Sequence, residues 1–113
     1  MKMTIELTDE EILGLLETAS GSDGCRYWAR STVSLETCLK RPISVFDVET
    51  GELLGELTEE KVRGAATQMA AMFHEGKLRK DLFLQILEDP EAADADAADC
   101  FVQAALFGKI VFS

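Results

Sequence analysis

Histidine is almost absent from this chain, and most routes to acid–base or nucleophilic catalysis at neutral pH go with it. His74 is the one histidine in 113 residues. It follows an amphipathic stretch with no nucleophile motif around it, so a base oriented by a third group has nothing to form on. We expect no catalytic residue. Cysteine is scarce and odd in number: Cys25, Cys38 and Cys100 suit neither a disulfide framework nor a metal knuckle, and they read as reduced thiols. Asp94, Asp96 and Asp99 lack the glycine and the terminal glutamate of a calcium loop. Gly21-Ser22-Asp23-Gly24 fits no phosphate-cradling glycine motif. Neither a metal nor a cofactor is expected. No apolar run nears the roughly 20 residues that cross a bilayer, and Met1-Lys2-Met3-Thr4 does not open a signal-peptide core; the reading is a cytoplasmic protein. Bases are outnumbered, eleven against twenty-one acids for a net charge of −10, which opposes attraction to nucleic acid or to an anionic membrane.

What is present is ordinary globular material. Apolar residues make up 47% and charged residues 28%, near the average for folded domains, and the length suits one domain over residues 1–113. Thr8-Asp9-Glu10-Glu11 is a capping box with Leu7 and Ile12 as its staple, and Ile12, Leu15, Leu16 and Ala19 recur at helical spacing. Ser20-Gly21-Ser22-Asp23-Gly24 then supplies a left-handed cap and a loop. From Cys25 to Leu39 the period falls to two: Tyr27, Ala29, Val33 and Leu35 lie on one face, Arg26, Trp28, Arg30, Thr32, Ser34 and Glu36 on the other. This predicts a half-buried strand. Ile43–Val48 and Leu53–Leu57 flank Glu49-Thr50-Gly51-Glu52, where Gly51 supplies the positive φ of a tight hairpin.

Thr58 caps the next helix, whose apolar stripe of Val62, Ala65, Ala66, Met69, Met72 and Phe73 ends at His74 and Gly76. Leu78, Leu82, Phe83, Ile86 and Leu87 make a shorter helix, closed by Asp89-Pro90 because proline lacks the amide donor. Asp89 and Pro90 also suit the cap and first position of a final helix, with Ala93, Ala97, Cys100, Phe101, Ala104 and Phe107 on one face. Its small side chains permit close packing. The apolar tail Ile110-Val111-Phe112 must dock on the sheet or on another copy. The expected fold is α+β, a three-stranded antiparallel sheet packed by about four helices in the order α-βββ-ααα. The tail and the small-residue helix predict a homodimer.

Two local features carry binding chemistry. In Arg26-Tyr27-Trp28-Ala29-Arg30, strand alternation sets Trp28 between Arg26 and Arg30. An exposed indole there would stack a base while the guanidiniums grip phosphate; a buried one would instead roof the second sheet face. The run from Glu88 to Asp99 holds six acids and no base. Glu91 and Asp94 favour a helix start through its dipole, and Glu88, Asp89, Glu91, Asp94 and Asp96 can face a basic groove as a phosphate-like row. Asp99 and Gln103, four apart on one helical face, are assigned a structural role: they can bond each other or hold the Tyr27-Trp28 segment.

With these segments placed, the chain resembles a group of small tailed-phage and prophage proteins. There, a first helix runs into a Gly-Ser-rich loop and a Tyr-Trp pair, here Gly21-Ser22 and Tyr27-Trp28. An acidic, alanine-rich last helix closes on an Ala-Leu-Phe-Gly phrase before a β-like tail, here Asp99-Cys100-Phe101-Val102-Gln103-Ala104-Ala105-Leu106-Phe107-Gly108 and on to Phe112. Gly24-Cys25-Arg26 are extra residues before the pair. The resemblance implies a phage or prophage origin in a bacterial host. Small accessory proteins of such genomes often disable host defences, which raises the expectation of a stoichiometric, anti-CRISPR-like inhibitor binding a host defence protein through its acids. The alternative is a sponge that sequesters a nucleotide signal, a cyclic nucleotide or an ADP-ribose-like one, on Arg26, Trp28 and Arg30.

Overall fold

The elements follow from local signals in the chain, and a computed structural model places them for residues 4–112; Met1, Lys2, Met3 and Ser113 lie outside the described residues. Helix α1 spans Asp9–Ala19 and starts on the full capping box: Glu11 N donates to Thr8 Oγ1 at 3.1 Å, and Thr8 N donates to Glu11 Oε1 at 2.8 Å. Strand β1 is Ala29–Arg30, β2 is Ile43–Asp47 and β3 is Leu53–Leu57. They form an antiparallel sheet in the order β1-β2-β3. Asp47 builds the hairpin turn by accepting from Glu49 N and Thr50 N, and Gly51 takes φ +75°. Helix α2 covers Glu59–His74 with Thr58 as its cap, α3 covers Lys80–Glu88, and α4 covers Ala95–Phe107. The α+β class, the strand pairing and the element order are those expected.

Three expectations are corrected. The long strand over Cys25–Leu39 is instead a 3-10 turn at Cys25–Tyr27, the two-residue β1, and a second 3-10 turn at Leu35–Leu39. Trp28 N donates to Cys25 O at 3.1 Å, so a three-residue repeat replaces strand alternation where it was to present Trp28. Asp89 caps a 3-10 turn at Pro90–Ala92 with its backbone alone, and the last helix begins later, on Asp94, whose side chain accepts from Ala97 N at 2.9 Å. The Ser20–Gly24 loop contains no left-handed residue. Gly24 is there because the chain passes against the end of α1: a Cβ on it would lie 2.1 Å from the Ala19 carbonyl oxygen.

Helix α4 is the axis of the molecule. It packs on α1, α2, α3, β3 and the Cys25–Tyr27 turn, and every residue from Ala97 to Leu106 is buried. It is therefore covered all round rather than on one face. Alanine at 97, 98, 104 and 105 lets its neighbours approach on several sides. The small residues that predicted a dimer seam are used inside the fold. No helix among the described residues is long and apolar enough to cross a membrane.

Gly24→Ala is expected to destabilise the protein by about 2 kcal/mol or more, because backbone rather than a flexible side chain opposes the added methyl. Gly14→Ala, where a Cβ meets nothing within 4 Å, should be stabilising by about 0.5–1 kcal/mol through helix propensity. Urea denaturation of the two variants checks both signs.

Candidate functional site

The Tyr27-Trp28 pair and the C-terminal phrase meet on one buried carboxylate. Asp99 Oδ2 accepts from Tyr27 Oη at 2.7 Å, and Asp99 Oδ1 accepts from Trp28 Nε1 at 2.8 Å and from Gln103 Nε2 at 3.1 Å. Consecutive residues of a strand point to opposite faces, so Tyr27 and Trp28 reach the same carboxylate only because the chain turns there. Gln103 is fully buried and fully satisfied. Its Nε2 also donates to Phe112 O at 2.9 Å, and its Oε1 accepts from Val111 N and Phe112 N, each at 2.8 Å. The tail is thereby clamped to α4, and Phe112 stacks on Trp28 with ring centroids 4.9 Å apart and 7° between planes. Phe107 tilts against the same indole at 5.5 Å.

These contacts settle the expected Arg26-Trp28-Arg30 face. Trp28 is 2% exposed while Tyr27 is 49% exposed, the reverse of the strand reading. The indole belongs to the core and offers no stacking surface. Tyr27 keeps its ring toward solvent and its hydroxyl on Asp99, and desolvation of that end together with the acidic acceptor holds its phenol above the usual range. Asp99 and Gln103 have the structural role assigned to them. Ile110 and Phe112 pack against the core, so the tail docks within its own chain, leaving Val111 half exposed.

Three other regions hold chemistry-bearing side chains. The first is the acidic corner between α3 and α4. Glu88, Asp89, Glu91, Asp94 and Asp96 are all exposed, and among the described residues none of them forms an ion pair. Asp94 is partly engaged: it caps α4, and its Oδ2 and backbone N bond the Gln85 side chain at 3.2 and 2.7 Å. Leu87, beside these acids in sequence, is 45% exposed. The second is an open cleft of about 590 Å³ with an apolar floor of Leu78, Leu82, Ile110 and Phe112 and a rim that includes Asp23, Lys77, Arg79 and Asp96. Arg79 is turned to Asp81, at 2.6 Å. The third is a groove of about 270 Å³ that brings Arg26 and Arg30 together without Trp28.

His74 is exposed and leans on Phe73 at 5.8 Å. The three cysteines are free and buried. Burial pushes the Cys25 thiol up to about 12, with the Asp99 charge adding to it. Burial likewise lifts Cys38 and Cys100 to about 11, helped by Glu36 and by Asp99 respectively. At neutral pH burial keeps all three as thiols rather than thiolates. No cluster of potential metal ligands occurs among the described residues. No family model, curated protein or solved structure matches this chain.

Gln103→Ala should free the tail and cost about 2 kcal/mol or more, since two backbone amides lose their acceptor. Trp28 is the sole tryptophan, so its emission should shift to the red in this variant before global unfolding. A second expectation concerns alkali. The folded thiols sit above the ordinary value of 9.0, so the unfolded chain loses these protons first and stability falls as pH rises from 9 towards 12. Thermal melts across that range should show a steadily decreasing midpoint, with a flat profile between pH 7 and 8.5 as far as the thiols are concerned.

Proposed function

We propose that this protein is a phage- or prophage-derived binding protein that inhibits a bacterial defence effector stoichiometrically, in the manner of an anti-CRISPR. It would act in the host cytoplasm, by contact rather than by chemistry. The observation that carries this reading is the acidic corner: exposed carboxylates from the end of α3, the Pro90 turn and the start of α4, without ion-pair partners among the described residues. An unneutralised acidic face on a chain of charge −10 steers a basic surface towards it and sets the register of the encounter. Leu87 adds an apolar contact at the same place, the kind of central anchor that charge alone does not supply.

The phage-protein resemblance supports the origin, and the folded chain explains what its motifs do. Tyr27, Trp28, Asp99, Phe107 and Phe112 form one structural joint. The phrases that carry the resemblance build this joint, apart from the surface around Glu88–Asp96. Of the five acids, Glu88, Asp89, Glu91 and Asp96 are assigned to contact. Asp94 has the double duty of helix cap and rim charge.

The test is affinity capture from a bacterial host lysate at about 50 mM and about 300 mM salt, a range over which exposed charge pairs are progressively screened. A specific protein should be retained at the lower salt in a stoichiometric complex and largely released at the higher one. The variant E88Q/D89N/E91Q/D96N should lose it while melting at an unchanged temperature. Retention of the same protein by that variant, or salt-insensitive retention, would sink the acidic-corner reading.

A further inference from the structure

A concave patch of the surface carries the opposite kind of charge. Arg26 sits on the Cys25–Tyr27 turn and Arg30 ends β1. Both line the groove of about 270 Å³, whose floor includes the buried side chains of Cys25, Leu35 and Val45. Two exposed arginines line one concavity in a chain of net charge −10, and the nearby acids do not pair with them. Among the described residues neither arginine forms an ion pair. Asp47, the register partner of Ala29, holds its carboxylate on Glu49 N and Thr50 N in the hairpin turn. Glu36 lines the groove without forming a salt bridge to either arginine. Ser20 and Ser31 on the walls donate their hydroxyls to Leu16 O and Val33 O, and Ser34 Oγ shares a hydrogen bond with Thr37 Oγ1 at 3.2 Å, so the guanidiniums are the main donors left to hold an anion.

We propose that this groove binds a small phosphomonoester with a hydroxyl-bearing body, a sugar phosphate either free or as part of a nucleotide. Arg26 and Arg30 take the phosphoryl oxygens, a planar fork being suited to two parallel bonds each. Glu36 accepts from the sugar hydroxyls, and the half-buried Ala29 and Val33 meet the apolar face of the body. Glu36 repels the phosphoryl charge of a free inorganic anion and of the ester alike, but only the ester returns hydroxyl donors to that carboxylate, so the groove favours the ester. No aromatic stacking is involved, because Trp28 is in the core. The site is independent of the acidic corner, and the failure of either proposal leaves the other standing.

Isothermal titration with inorganic phosphate, ribose 5-phosphate and adenosine 5′-monophosphate tests it. Ribose 5-phosphate should bind more tightly than phosphate by about tenfold, and Arg26→Ala and Arg30→Ala should each weaken both by about tenfold, the double variant abolishing binding. Glu36→Gln should improve phosphate and narrow the preference for the sugar ester. Tighter binding of the nucleotide than of ribose 5-phosphate assigns the sugar phosphate to a nucleotide; the reverse order assigns it to a free sugar phosphate. Arginine Nε resonances of the unaltered protein give a readout that needs no variant: two should move on titration with ribose 5-phosphate. No binding of any of the three at millimolar concentration, or binding undiminished in the double arginine variant, overturns the proposal. An unchanged preference in Glu36→Gln overturns the hydroxyl assignment.

Discussion

The tertiary structure depends on one buried carboxylate. Asp99 accepts three hydrogen bonds, from Tyr27, Trp28 and Gln103, and the segments so joined are remote in sequence. Bonds to a carboxylate contribute about 1.5–3 kcal/mol each, and the cost of taking the group out of water offsets part of that. The specificity is worth as much as the energy. A hydrophobic indole alone could slide on alanine-rich α4, but an indole N–H that must meet one oxygen fixes the Cys25–Tyr27 turn on the helix. Gln103, using both its donors and both its acceptors, extends the arrangement to the tail.

This joint separates scaffold from surface. The only tryptophan is in the core, where Phe107 and Phe112 cover it, so chemistry directed outward is left to charge. The surface carries it in two places of opposite sign. Carboxylates collect where α3 hands over to α4, a stretch in which the chain makes a 3-10 turn and leaves the acidic side chains exposed. Guanidiniums collect across the groove beside β1.

Much of the fold was legible from short stretches. The Thr8–Glu11 box, the Thr58 cap, the helical stripe of α2 and the Gly51 turn are local, and local signals settle elements whose backbone bonds close within a few residues. The Cys25–Leu39 region was misread because apolar alternation is equally available to a chain of turns, and nothing near Trp28 says that its partner lies 71 residues away. For the candidate sites the exposure of Glu88, Asp89, Glu91, Asp94 and Asp96 was legible, since acids without bases beside them favour the surface, while the sixth acid of the run, Asp99, is buried. The arginine groove was half legible: Arg26 and Arg30 do line one groove, but the ring expected between them points inward.

The sequence by itself determined the fold class of the protein, its element order, its excess of negative charge and its scarcity of histidine and cysteine, because these follow from composition and from spacings of three, four or two. Only the tertiary structure decided which aromatic faces water, that α4 is enclosed on every side, and where the apolar tail goes. Those outcomes rest on contacts between Tyr27-Trp28, Asp99-Gln103 and Val111-Phe112. Bonds between segments that far apart in the chain leave no periodicity to read; they exist only once the helix they share is in place.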